Sequence, residues 1–360
     1  MPMMPGDLAP FFSAPSPNNP RYNLSTVAGR YVVLAFLPSL ADPAAVAALA
    51  AVGAARTLFD DSQRCLFGVL STAEDFASAS DDPPGLRWLH DLDGVASGAL
   101  EMSGPGWVVL DPTLRLLFAA PLTSTAEVMR RLAALPPVDG HAGVPLNAPV
   151  LIAPRVFEPA FCRLLIDLYE ATGGEPSGFM REVDGKTVVA MDPRHKKRSD
   201  VVLSDEALRD QIRIRIKRRL TPLIQRAFQF EATRMERYIV ACYDAESGGY
   251  FRPHRDNTTK GTAHRKFAVS INLDAEAHEG GDLRFPEFGG RTYRPPTGGA
   301  VVFSCSLLHE ATPVIAGKRY AFLPFLYDEA GARLREANNA FLGEGVGEYR
   351  AGESEPADQP

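Results

Sequence analysis

Four cysteines in 360 residues, none in a CxxC pair, are too few and too scattered for a disulfide framework or a thiolate zinc site. Cys65, Cys162, Cys242 and Cys305 instead suit a reducing compartment. The chain lacks any apolar run of about 18 residues free of charge or proline, so no membrane-spanning helix is expected. Its opening residues have neither the basic nor the apolar region of a signal peptide. Positive charge is short as well: a net charge of −6 gives no pull toward nucleic acid or an anionic membrane. These absences set the expectation of a cytoplasmic protein with no nucleic-acid or membrane partner.

What is present is ordinary in bulk and specific in places. An apolar share of 45% and a charged share of 23% fit a globular chain, and the length favours two domains. Thirty prolines and thirty glycines imply many turns. The stretch from Leu135 to Pro149 is dense in both and reads as a linker, giving expected domains at 1–138 and 148–330. Beyond Asp328 the Gly- and Glu-rich sequence reads as a loose acidic tail over 331–360.

In the first domain, Gly29–Leu37 and Arg64–Leu70 are apolar runs with β-branched residues and read as buried strands. Helices are expected over 43–56, 72–78 and 125–135, with a hairpin over 107–119 turning at Asp111. The order implies an α/β layer structure. The sequence resembles the thioredoxin-like fold of the peroxiredoxins over about residues 5 to 136. That family carries its peroxidatic thiolate in Pro-x-x-x-Thr-x-x-Cys; here the run from Pro38 puts Asp42 in the threonine place and Ala45 in the cysteine place. Without a thiolate there is no peroxide nucleophile. Cys65 falls inside a core strand and reads as a small buried hydrophobe.

The second domain opens with helices expected over 159–171 and from Ser204, the cap, through about Phe228. The basic run Arg194-His-Lys-Lys-Arg198 reads as a loop, with contact to an acidic or charged substrate near the mouth of the domain as an alternative, and 176–202 as one of the segments that set specificity. From Met235 onward at least seven strands with short turns argue for a jelly roll. Within it, Tyr250-Phe-Arg-Pro-His-Arg-Asp256 offers an imidazole and a carboxylate two residues apart, a spacing that puts both on one face of a strand. His309 adds a second imidazole, and Arg319 follows ten residues later. Two histidines and one carboxylate with open positions suit non-haem Fe(II). His264 and His278 read as surface loop residues.

Residues from about 148 to 330 resemble the prolyl 4-hydroxylase type of Fe(II)/2-oxoglutarate dioxygenases. The likeness rests on Ala241–Asp256, Glu279–Pro286, Pro296–Phe303 and Leu308–Tyr320. It implies a double-stranded β-helix, with His254, Asp256 and His309 as metal and catalytic residues. Arg319 would take the 5-carboxylate of 2-oxoglutarate, and Tyr243 would line the co-substrate pocket. Asn272 stands where the family often has a tyrosine for that carboxylate. Fe(II), 2-oxoglutarate and O₂ are the implied cofactors, with ascorbate as an accessory reductant. The implied reaction hydroxylates a C–H bond, of a prolyl residue in a protein or of a small molecule, with release of succinate and CO₂. The alternative is a non-catalytic module that binds a ligand or docks a partner. Whether the first domain recruits substrate or supports a homo-oligomer stays open at this level.

Overall fold

The computed structural model describes residues 3–352. Contacts divide the chain at Ala148 and Pro149 into two compact units, with Phe285–Arg291 grouped with the first.

The first unit is built on a five-stranded sheet in the order Leu86–His90, Arg64–Leu70, Tyr31–Leu37, Gly106–Leu110, Leu116–Pro121. The first three strands are parallel and the last two antiparallel to their neighbours. All seven residues of Tyr31–Leu37 are buried, as a central strand covered on both faces requires. The helix Pro43–Ala54 makes the crossover to the parallel neighbour, burying Ala45, Ala48 and Val52. The Asp42 carboxylate accepts from the Ala44 and Ala45 N–H groups and caps this helix, and proline occupies its first turn. This is the thioredoxin-like arrangement, with two additions the sequence did not announce. They are the hairpin Ser13–Ser16 with Asn19–Asn23, and the strand Leu86–His90.

The second unit is a double-stranded β-helix. One sheet runs Lys196–Lys197, Tyr250–His254, His309–Ala311, Leu283–Arg284, Thr292–Tyr293. The larger sheet centres on Phe267–Asn272, Val314–Phe322 and Ile239–Asp244, all antiparallel. The helices Pro159–Thr172 and Glu206–Arg219 bury Phe161, Leu165, Ile166, Ile212 and Ile216 in one core with Val240, Ile271 and Phe322. Truncating one such residue, as in Ile212→Ala, removes about 2–5 kcal/mol. Among the described residues no helix is long and apolar enough to cross a membrane.

Several expectations give way here. The long helix to Phe228 is two helices, Glu206–Arg219 and Thr221–Phe228, because Pro222 lacks the N–H that would continue the first; Asp205, not Ser204, is the cap. Part of the 176–202 segment is a hairpin, Phe179–Val183 with Lys186–Ala190. The tail expected to be loose forms the helix Glu329–Ala337, followed by the short 3-10 turn Asn338–Phe341. Buried Arg335 pairs with Glu236 at 3.1 Å and donates to the Tyr327 hydroxyl, and Tyr349 is buried against it. Arg335 and Tyr349 anchor the tail despite its Gly- and Glu-rich composition; residues 353–360 lie outside the described residues.

Candidate metal centre

The facing strands of the smaller sheet set the two imidazoles opposite each other. His254 ends Tyr250–His254, His309 begins His309–Ala311, and the two are direct partners in the antiparallel register. Their ring centroids lie 4.3 Å apart. Asp256 sits just past the end of the strand rather than on it, its N–H bonded to the Cys305 carbonyl at 3.0 Å. The turn still brings its carboxylate to 3.6 Å from His254 Nε2 and 3.3 Å from His309 Nε2. One ligand atom from each of the three lies within 4.8 Å of the others, the span of a single ion's coordination sphere.

The tautomers follow from the partners. His254 Nδ1 lies 2.8 Å from the Arg252 carbonyl and His309 Nδ1 lies 3.1 Å from the Leu307 carbonyl. A carbonyl only accepts, so each Nδ1 donates, which leaves each Nε2, turned toward the Asp256 carboxylate, as the atom placed to ligate. Burial pushes the His309 imidazole down to about 4, with His254 adding to the effect, so it is neutral and free to ligate. Burial alone would raise the Asp256 carboxyl, but His309, His254 and Arg265 hold it well below the usual range. Two imidazoles, that of His309 held neutral, and one ionised carboxylate on one side of a cavity fit a divalent ion with positions left over.

The wall facing the triad comes from the larger sheet. Arg319, 3% exposed on Val314–Phe322, donates to the Ser270 hydroxyl at 2.8 Å and lies 5.2 Å from the Tyr243 ring centroid. Among the described residues Arg319 makes no ion pair with a carboxylate, so a buried guanidinium faces the cavity without a counter-anion. Gly281 makes room for it: at φ +69°, a Cβ there would lie 3.1 Å from Arg319 Cδ and 2.8 Å from Val314 Cγ2. Lys318, one residue earlier, points out to Glu170 and Asp244. His254, Asp256, His309, Arg319, Tyr243 and Ser270 all line one cavity of about 60 Å³. A larger cavity, about 900 Å³, lies against Glu206–Arg219 and Thr221–Phe228 and includes none of them; the donor set, not size, identifies the site.

Asn272 is the exception. It is buried, but its amide donates to the Pro295 carbonyl at 3.1 Å and it does not line the cavity. Ser270, two residues earlier on the same face of Phe267–Asn272, takes the place beside Arg319. Ser270 and the cavity-lining Arg237 escaped the sequence reading, which had no spacing signal to find them, whereas Arg198, the end of the basic run from Arg194, lines the cavity. His264 and His278 are buried rather than on the surface: His264 pairs with Glu236 at 3.0 Å, and His278 Nδ1 meets the Gly280 carbonyl. Neither joins the triad. In the first unit Cys65 is fully buried, and burial pushes its thiol up to about 12, so no thiolate forms there at neutral pH.

Residues 238–327 match the family model of the 2OG-Fe(II) oxygenase superfamily, a span that contains the triad, Arg319, Ser270 and Tyr243. No curated protein matches the chain. Among solved structures, a Pseudomonas putida prolyl-4-hydroxylase is 18% identical, covering 54% of this chain and 97% of its own, with a TM-score of 0.37. The viral collagen prolyl hydroxylase of Paramecium Bursaria Chlorella virus-1 is 16% identical, covering 49% and 94%, with a TM-score of 0.36. Mycobacterium tuberculosis AhpC is 17% identical, covering 38% of this chain and 94% of its own, with a TM-score of 0.32.

Proposed function

We propose, from the premise that the second unit is a 2-oxoglutarate-dependent dioxygenase domain of the 2OG-Fe(II) oxygenase superfamily, that this protein hydroxylates a C–H bond of its substrate with release of succinate and CO₂. His254, Asp256 and His309 would hold Fe(II) through two Nε2 atoms and a carboxylate oxygen. The bound ion, with 2-oxoglutarate and O₂, supplies the oxidising chemistry of the reaction. Arg319, set in place by its bond to Ser270, would receive the 5-carboxylate of 2-oxoglutarate, a role in which a guanidinium can use two parallel N–H donors. Tyr243 forms the wall beside it and Phe303 packs edge-on against the His309 ring, holding its orientation.

The observation that carries this reading is the juxtaposition itself: a His, His, Asp set within one ion's reach and a buried arginine without a counter-anion in one cavity. The test is succinate formation from 2-oxoglutarate by the full chain. It is expected only when Fe(II) is supplied, and succinate formed equally without the metal would overturn the assignment.

A further inference from the structure

Three guanidinium groups line the cavity that holds the triad, those of Arg198, Arg237 and Arg319, whereas Asp256 is the only carboxylate residue lining it. The excess can be apportioned. A divalent ion with Asp256 leaves one positive charge; with Arg319 that makes two, which the dianion 2-oxoglutarate balances. Arg198 is spoken for by Asp200, whose two oxygens it meets as a fork at 2.7 and 2.6 Å. The same carboxylate also accepts from the Ser177 hydroxyl at 2.5 Å. Lys196 lies behind, its ammonium donating to Ser177 Oγ and the Gly178 carbonyl. Of the three guanidinium groups that line the cavity, Arg237 is the one left over.

Arg237 reaches only as far as 3.7 Å from the already saturated Asp200, and its Nε, shut off from solvent, has no hydrogen-bond partner. The next carboxylate, Glu236, is taken by Arg265, Arg335 and His264. Burial and the neighbouring Arg198 and Arg265 pull the Arg237 pKa down to about 10, so it remains cationic at neutral pH. The residue also holds a left-handed backbone, φ 68°, a conformation that a long side chain adopts only when its surroundings impose it. A residue held in the left-handed region thus presents a partly buried, incompletely paired charge to the cavity.

Resting on the oxygenase reading above, we propose that the primary substrate carries an oxyanion, a carboxylate or a phosphate, and that Arg237 binds it beside the metal. A guanidinium suits either group, since both offer paired oxygens to its planar donors. This makes the substrate an acidic small molecule, or the acidic end of a larger one, with the C–H bond to be hydroxylated held at a fixed distance from that anchor.

The test uses the full chain with Zn(II) as a redox-inert stand-in for Fe(II) and with 2-oxoglutarate. The stabilisation these two give is measured first in every protein, and its absence would indict the oxygenase reading rather than the subsite. N-acetylglycine, its neutral amide N-acetylglycinamide, and inorganic phosphate are then titrated at constant ionic strength, with melting temperature as the readout. The acid or phosphate is expected to raise it and the amide is not; which anion acts names the group. In Arg237→Gln the apparent affinity for that anion should fall at least tenfold, and Arg237→Lys should recover part of it. Equal responses to acid and amide, no response to either anion, or an unchanged response in Arg237→Gln would each overturn the proposal.

Discussion

The two units bury polar groups for opposite purposes. In the first, the buried acids are consumed by backbone: Asp91 accepts from the Ala96 and Ser97 N–H groups, and Asp111 from those of Thr113 and Arg115. Asp42, standing where the peroxiredoxin pattern has threonine, likewise closes a helix end. These groups stabilise turns and leave nothing facing a substrate. In the second unit the buried polar groups include Arg198, Arg319 and His309, which line a cavity. A fold can keep its layers with its polar groups spent on its own backbone. Chemistry requires charged groups held out of water and not fully paired, which costs stability and is maintained only where it is used.

The sharpest break in that comparison is at the triad. His254→Ala or Asp256→Ala should abolish Fe(II)-dependent succinate formation, measured by direct assay of the product. Next comes Arg319→Ala. A charged hydrogen bond is worth about 1.5–3 kcal/mol, so the 2-oxoglutarate KM should rise roughly tenfold to a hundredfold. An unchanged KM would remove Arg319 from the co-substrate site. Ser270→Ala, which loses one orienting bond of about 0.5–1.5 kcal/mol, should raise the same KM by a smaller factor.

Stability against pH should follow the second unit's buried His264. Burial lowers its pKa while Glu236 opposes, so the unfolded chain takes up the proton first. The stability from neutral His264 is therefore complete above about pH 6.5 and is lost as the pH falls from there to its lower folded value. The slope would be at most about 1.4 kcal/mol per pH unit. Denaturant melts at several pH values would show it, and His264→Gln should flatten it. In the first unit the effects are smaller. Asp42→Ala should cost about 0.5–2 kcal/mol as a lost cap and leave the second unit's turnover intact. Cys65→Ala should not change peroxide consumption, because the buried thiol contributes none.

The metal triad was legible because its signal is local: His254 and Asp256 lie two residues apart, and His309 keeps a fixed spacing from Arg319. Ser270 and Arg237 were not, since they reach the cavity from separate segments that only strand register brings together; Arg198 showed only as the end of the basic run from Arg194. Asn272 was misassigned by two residues on one strand face; alternation gave the right face, but the Pro295 carbonyl claims its amide. The buried histidines were misread because neither period nor composition reports a partner such as Glu236, 28 positions from His264. In the first unit the apolar strands were plain, whereas the hairpin Ser13–Ser16 with Asn19–Asn23 contains three prolines and two serines and carries no strand pattern.

The most direct measurement is oxygen uptake by the full chain supplied with Fe(II), with and without 2-oxoglutarate, in the native protein and in His254→Ala. The account predicts uptake that requires 2-oxoglutarate in the native protein and is absent from the variant. Uptake that persists in His254→Ala, or that proceeds without 2-oxoglutarate, would contradict it.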